Sequence, residues 1–309
     1  MDILRGLDAI TEKYRGSAVS IGNFDGVHLG HQKILSCLKD AAKAFQVPTL
    51  ALTFDPHPVK LFVPERELKL LTPPEAKARL LERYGIDALL FIEFTREFAR
   101  LTADEFIDEI LVKRLGARVV VVGNGYVFGR GKEGTTDLLR RRGKKHGFDV
   151  QVVRQAVVDG KPVSSTLVRT LVGKGNVARA ARLLGRPYSM RGTVITGTGR
   201  GMPILKIPTA NISTPYEAVP KDGVYAVRVM VGTDRYDGAA SIGTNPTFKG
   251  ADRSYEVHIF DYAGDLRGRE LKIIFIERLR DQMAFKTVDE LKAQIADDIA
   301  RCRDILGSS

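Results

Sequence analysis

Through its first 185 residues the chain switches repeatedly between two periods of hydrophobicity, and few folds can accommodate that. Short β-rich runs stand at Ala18–Phe24, Thr49–Phe54, Ala88–Phe94, Arg118–Gly123 and Val150–Arg154. Between them apolar residues recur at helical spacing. After His31 they fall at Ile34, Leu35, Leu38, Ala41, Ala42 and Phe45, which is one helix face. Thr102 to Leu115 repeats the pattern with Phe106, Ile107, Ile110, Leu111 and Leu115, and Thr102 with Glu105 forms a capping box. Strand–helix alternation implies a doubly wound parallel sheet with helices on both faces and ligands beyond the C-terminal strand ends.

The pattern changes after Leu184. Gly185-Arg186-Pro187-Tyr188 reads as a linker, and strand and turn signals then replace helical ones for about a hundred residues. Strands are expected at Gly192–Thr196, Val224–Val231, Asp237–Ile242, Ser254–Asp261 and Glu270–Arg278. Tyr255, Val257 and Ile259 alternate with Glu256, His258 and Phe260, as on a strand with two unlike faces. These runs suit a small antiparallel barrel or sandwich. A last helix closes the chain, with Val288, Leu291, Ile295, Ile299, Cys302 and Leu306 as its apolar stripe. Two domains are therefore expected, 1–185 and 186–309.

Composition narrows the setting. Among 309 residues, 44% hydrophobic and 28% charged describe a folded, soluble chain, and no apolar run is long enough to cross a bilayer. Charges at Asp2, Arg5, Asp8, Glu12 and Lys13 exclude a secretory signal over the first residues. Cys37 and Cys302 are the only cysteines, and both occupy apolar positions of helical patterns. Free thiols in a reducing compartment, the cytoplasm, fit better than a disulfide. A net charge of +11 suggests an anionic partner, either nucleic acid or phosphorylated small molecules. The dense basic run Arg140–Lys145 lies on a probable helix, where such runs are usually a solvated face.

The stretch Gly22-Asn23-Phe24-Asp25-Gly26-Val27-His28-Leu29-Gly30-His31-Gln32 joins the first strand to the first helix. A helix N-terminus there offers free N–H groups and a positive dipole end to an anion, and Gly26 and Gly30 let the backbone approach it closely. His28 and His31 flank Gly30, so both rings can project over the helix start, hold the phosphates of ATP and stabilise charge during attack at the α-phosphorus. One histidine on a turn would be read as a surface residue. Two of the chain's five in His-x-Gly-His at a strand-to-helix loop are a specific signal. Ser164, Ser165 and Thr166 begin a second helix with Arg169 one turn in, a set suited to the departing pyrophosphate. Alone it would be only a helix cap.

These two segments, His28-x-Gly30-His31 and Ser164-Ser165-Thr166-x-x-Arg169, resemble the signatures of the nucleotidyltransferase superfamily. With Thr53-Phe54-Asp55-Pro56-His57-Pro58 they resemble the adenylyltransferase half of bacterial bifunctional riboflavin kinase/FMN adenylyltransferases, the FAD synthetases. The resemblance implies ATP contacts from Asn23, Phe24, Gly26, Gly30, Ser164, Ser165, Thr166 and Arg169, and flavin contacts from Asp55, His57, Tyr126 and Phe128. It also marks a departure. Gly125 stands where the family usually has an acidic or amide residue, and Val127 follows Tyr126 where Arg is often found.

The second half carries Pro208-Thr209-Ala210-Asn211 after the glycines Gly197, Gly199 and Gly201. Thr209 and Asn211 are two apart, so on an extended segment both face one way, a hydroxyl and an amide oxygen able to ligate Mg²⁺ beside ATP phosphates. A turn with an Asx cap would look the same. Glu256 on its strand could accept a proton from a hydroxyl, though alone it would be read as a solvated residue. With Asn245-Pro246-Thr247-Phe248, Tyr255-Glu256-Val257-His258 and Glu277-Arg278-Leu279-Arg280-Asp281, in that order, these segments resemble the riboflavin kinase domain. The resemblance implies a six-stranded barrel with a C-terminal helix and gives Gly197, Gly199, Thr209 and Asn211 to Mg²⁺-ATP. It makes Glu256 the base for the ribityl 5′-hydroxyl and places Arg280 and Met283 at a flavin-covering loop. Lys206-Ile207, Gln282 and Arg267 depart from the usual Gly-Phe, Glu and Tyr.

The leading expectation is thus an enzyme of FAD synthesis acting on riboflavin, FMN and ATP, with Mg²⁺, and without nucleic acid or membrane partners. A riboflavin kinase with a weakened adenylyltransferase half is one alternative, resting on Gly125 and Val127. A basic RNA-binding protein is another, disfavoured because no aromatic stacking set lies among the basic residues of the strands.

Overall fold

The structure, a computed structural model, describes residues 1–63, 67–195, 208–243 and 254–307. The chain divides into two compact units, Met1–Ser165 and Thr166–Ser309.

The first unit is built on six parallel strands: β1 (Asp2–Arg5), β2 (Ala18–Ile21), β3 (Thr49–Asp55), β4 (Ala88–Glu93), β5 (Val119–Gly123) and β6 (Asp149–Val153). Their order is β1-β4-β3-β2-β5-β6. Successive residues of one strand enter opposite cores. Val19, Ile21, Leu50, Leu52, Leu90, Val120 and Val122 face one way, and Ala18, Ala51, Leu89, Phe91, Val119 and Val121 the other. Both faces need a cover, which is why these strands read as continuous apolar runs. Helices α1 (Leu29–Phe45), through Leu35, Leu38, Ala41 and Ala42, and α3 (Pro74–Arg83), through Ala78 and Leu81, supply one cover. The other comes from Phe106, Ile107, Ile110 and Leu111 with Leu139 of α5 (Thr136–His146). A short helix α2 (Pro58–Phe62) precedes α3.

The helix expected over Thr102–Leu115 begins as foreseen. Thr102 Oγ1 accepts from Glu105 N, and Glu105 returns a carboxylate to Thr102 N at 2.8 Å. After one α-turn, α4 (Ala103–Glu105), the chain widens into a π-helix, Phe106–Arg114. The apolar spacing gives the reason. On a 3.6-residue period Leu115 lies opposite Phe106, whereas a turn of about 4.4 residues brings Phe106, Ile110, Leu111 and Leu115 to one side. All four are buried.

The second unit starts with helices α6 (Ser165–Gly173) and α7 (Val177–Leu184). Six antiparallel strands follow: β9 (Ser189–Ile195), β10 (Ala210–Ser213), β11 (Gly223–Val231), β12 (Asp234–Gly243), β13 (Ser254–Ile259) and β14 (Glu270–Arg280). The strands β7 (Val157–Val158) and β8 (Lys161–Pro162) form a small hairpin in the first unit. The six strands close as a barrel in the order β10-β13-β12-β11-β14-β9, which abolishes free edges. Helix α8 (Val288–Gly307) seals it from outside, where Cys302 and Leu306 pack on Ala226 and Phe260. The expected stripe is buried only at that end, since Val288 is 43% exposed. Both cysteines are free, and burial pushes the Cys302 thiol up to about 12.

Candidate functional site

In the first sheet the chain moves outward from β2 to β3 and β4 on one side, and through β5 to β6 on the other. The order therefore reverses between β2 and β5, and the crevice at their C-terminal ends is where such sheets bind ligands. The loop leaving β2 there is held in an unusual shape. Phe24 and Val27 adopt left-handed backbone, with φ of 46° and 41°, which costs about 1–3 kcal/mol at each non-glycine position. The buried Asp25 offsets that cost, accepting from Leu71 N and Thr72 N at 3.1 Å and from Thr72 Oγ1 at 3.2 Å. Gln32 Nε2 donates to Val27 O at 2.9 Å.

His28 caps α1. Its Nδ1 accepts from Gly30 N at 3.1 Å and His31 N at 3.3 Å. A ring nitrogen that accepts carries no proton, so His28 keeps its proton on Nε2, a fixed donor at the helix start. A Cβ on Gly30 would stand 3.0 Å from His28 Cε1, so a larger residue would push that ring aside by a few tenths of an ångström. The His31 ring stacks on His28 with centroids 3.8 Å apart and meets the edge of Phe24. Burial first, then His28 and Lys77, hold His31 well below the usual imidazole range. His31 is therefore neutral at pH 7 and brings no positive charge of its own. Its Nδ1 is buried with no hydrogen-bond partner among the described residues.

The other expected residues gather unevenly. Ser165 Oγ donates to Asp25 O at 2.9 Å, which ties the second signature to the first loop. Ser164 is half-buried beside it, and Thr166 and Arg169 continue on α6, in the second unit. Thr53 Oγ1 donates to Asn23 O at 3.3 Å, and Gly26 N donates to Thr72 Oγ1 at 3.2 Å. Asp55 ends β3 and enters a cis peptide with Pro56. His57 Nδ1 accepts from Val59 N at 3.2 Å, capping α2. Tyr126 stacks on Phe128 at 5.4 Å, and aromatic contacts continue through Phe106 and Phe98 to Phe54. Gly125 is exposed, and a Cβ there would meet nothing within 4 Å. Sequence reasoning missed Thr72 and the buried Lys77. The signal for Lys77 was present: it lies four residues before Leu81, on the core face of α3.

In the barrel, one row of residues runs across the strands. Asn211 stands opposite Glu256, Glu256 opposite Ser241, Ser241 opposite Val224, and Val224 opposite Arg280. Asn211 and Glu256 are thus cross-strand neighbours, within reach of one substrate. Ser254 Oγ donates to Glu256 Oε1 at 3.3 Å. Gln282 Nε2 donates to Ser241 Oγ at 2.9 Å and Ile242 O at 3.0 Å. Thr209 is exposed just before β10, and a His258 ring nitrogen bonds Pro208 O at 2.9 Å. Phe260, expected on the face of Glu256, lies just past the end of β13 and is buried under α8. Arg280 turns to α8. Its guanidinium grips Asp298 through Nε at 2.9 Å and Nη2 at 2.5 Å, leaving the exposed Met283 beyond it. Arg267 pairs with Asp265. Gly197, Gly199, Lys206-Ile207 and Asn245–Phe248 lie outside the described residues.

Two wider readings meet the structure here. Arg142 of the basic run is bound by both Asp104 and Asp108, and Arg140 by Asp137, so part of that run is neutralised within the chain. Among the described residues no helix is long and apolar enough to cross a membrane, and no group of three His, Cys, Asp or Glu could hold a metal.

The family model for FAD synthetase matches residues 10–167, and that for riboflavin kinase matches residues 184–306. A bifunctional riboflavin kinase/FMN adenylyltransferase of Escherichia coli K12 is 38% identical over 309 residues, covering 99% of this chain and 98% of the relative. One from Pseudomonas fluorescens is 37% identical over 310 residues, covering 100% and 99%. A crystal structure described as a macrolide-efflux protein from Streptococcus pneumoniae superposes with a TM-score of 0.88 at 32% identity, covering 98% of this chain and 99% of the other.

Proposed function

Since the chain belongs to the bifunctional riboflavin kinase/FMN adenylyltransferase family, we propose how its residues divide the two reactions. Riboflavin is phosphorylated by ATP to FMN, and FMN takes the adenylyl group of a second ATP to give FAD and pyrophosphate. We assign the second step to residues 1–185 and the first to 186–309.

In adenylyl transfer the FMN phosphate is itself the nucleophile at the α-phosphorus, so no protein nucleophile is needed. Catalysis is then positioning and stabilisation of charge. The fixed Nε2 donor of His28 at the start of α1 carries this reading, because Gly30 and the clamp on Asp25 hold it ready before any substrate arrives. The α1 N-terminus adds its N–H groups and dipole. The neutral His31 adds hydrogen bonds, and Ser164, Ser165, Thr166 and Arg169 receive the leaving pyrophosphate. Tyr126, Phe128 and Asp55 at the crevice serve the flavin.

In the kinase half Glu256 takes the proton of the riboflavin 5′-hydroxyl as that oxygen attacks the γ-phosphorus, and ADP departs. Asn211, directly across from Glu256, keeps nucleotide and base on one row. The hydroxyl of Thr209 and the amide oxygen of Asn211 are hard donors that suit Mg²⁺ with substrate phosphates filling the remaining positions, and the ion would neutralise phosphate charge. The enzyme works in the cytoplasm, on small molecules alone. Incubation with riboflavin, ATP and Mg²⁺ followed by chromatography tests the whole reading: FAD is expected, FMN alone would mean an idle first half, and neither would refute it.

A further inference from the structure

Lys77 is 7% exposed, on the face of α3 that Ala78 and Leu81 press against the sheet. A lysine so placed needs a reason, because removing an ammonium from water is costly unless polar partners replace the water. Its Nζ donates to Thr53 Oγ1 at 3.2 Å, and the same hydroxyl donates to Asn23 O at 3.3 Å. Thr53 is fully buried at the C-terminal end of β3. A chain of two hydrogen bonds thus runs from α3 through β3 to the loop that turns into His28 and His31.

We propose that Lys77 is a positioning residue for adenylyl transfer, the buried cation that pins the phosphate loop through Thr53 and Asn23. The inference rests on the reading of His28 and His31 as the phosphate-facing pair. Its charge has a second consequence. Lys77 and His28 are the groups that press on His31, and Asp25 and Asp55 are the carboxylates that act on Lys77. Burial lowers Lys77, while those two carboxylates favour its charged form. The like charge of Lys77 in turn favours the neutral form of His31.

Two variants separate these roles. Lys77→Met keeps the length of the side chain and removes its charge, and Thr53→Val keeps the ammonium and removes the link. FAD formation from FMN and ATP is measured across pH, with riboflavin phosphorylation followed in the same preparations. The Cε1 proton of His31 is titrated by NMR without substrate. Lys77→Met should lose about ten- to a hundredfold in kcat/KM for ATP, the scale of a displaced reacting group, with kinase turnover unchanged. His31 should take up its proton at higher pH than in the parent, since a repelling charge is gone. Thr53→Val should show the same loss of rate with the His31 titration unmoved. Parent-like FAD formation in either variant, or an unmoved His31 titration in Lys77→Met, overturns the proposal. If Lys77→Met does not fold, Thr53→Val decides alone. His31→Ala run in parallel distinguishes the two failures: retained FAD formation there sinks the reading of the histidines, whereas its loss beside an unaffected Lys77→Met sinks only the role given to Lys77.

Discussion

On the proposed assignment, single side chains should separate the two activities. His28→Ala removes the donor at the start of α1 and also uncaps Gly30 N and His31 N. FAD formation from FMN should fall about a hundred- to a thousandfold, the usual effect of losing one such donor. FMN formation from riboflavin should persist, and loss of both together would show His28 to be structural. Glu256→Gln keeps the shape opposite Asn211 and removes the proton acceptor. Phosphorylation of riboflavin should collapse while added FMN is still converted to FAD; near-normal kinase turnover would end that assignment. Gly125 offers only backbone at the edge of the crevice, and its surroundings leave room for a side chain. Gly125→Asp should lower the KM for FMN with little change in kcat, the pattern of added ground-state binding. A KM unchanged or raised would mean that another residue already fills that role.

Elements explain where stability and site geometry come from. β14 and α8 are joined by Arg280 and Asp298, with side chains 15% and 5% exposed. Breaking a buried pair from one side strands the other charge, at a cost of about 3–5 kcal/mol. Asp298→Ala should therefore lower the thermal midpoint of the barrel unit and free Arg280 from α8. The melting transition, followed by calorimetry, should move by several degrees, and an unmoved transition would show the pair to be replaceable by water. The same pairing fixes the guanidinium of Arg280, a residue expected at the flavin-covering loop, against α8. The π-helix after Glu105 makes a related point, because its wider turn lets Phe106 and Leu115 share one core.

Taken whole, the chain joins an FAD synthetase domain to a riboflavin kinase domain, and FMN is the product of one reaction and the substrate of the other. If Gly125 leaves the acceptor weakly held, as proposed, FMN should be released between steps and accumulate before FAD when riboflavin is limiting. Equal amounts of Glu256→Gln and His28→Ala protein should then make FAD from riboflavin together, although neither does so alone. Absence of FAD in that mixture, with FMN formed, would mean that FMN is passed on within one chain.

The amino-acid sequence by itself determined the two-part architecture, because period two and period 3.6 are printed in the side chains and set which faces must be buried. It also marked His28, Gly30 and His31, since a strand-to-helix turn with two imidazoles admits few other uses. It did not show β1, whose four residues Asp2–Arg5 are too short and too charged to stand out, although they pair in register with Ala88–Phe91. β10 was similarly too short to count as a strand until Asn211 met Glu256. Why His31 is neutral, where Arg280 points and what Lys77 touches were decided by tertiary structure alone. Each depends on residues distant in the chain, from Thr53 to Lys77 and from Arg280 to Asp298. Charge state and hydrogen bonding follow from burial and neighbours in space, and periodicity along a chain carries no record of either.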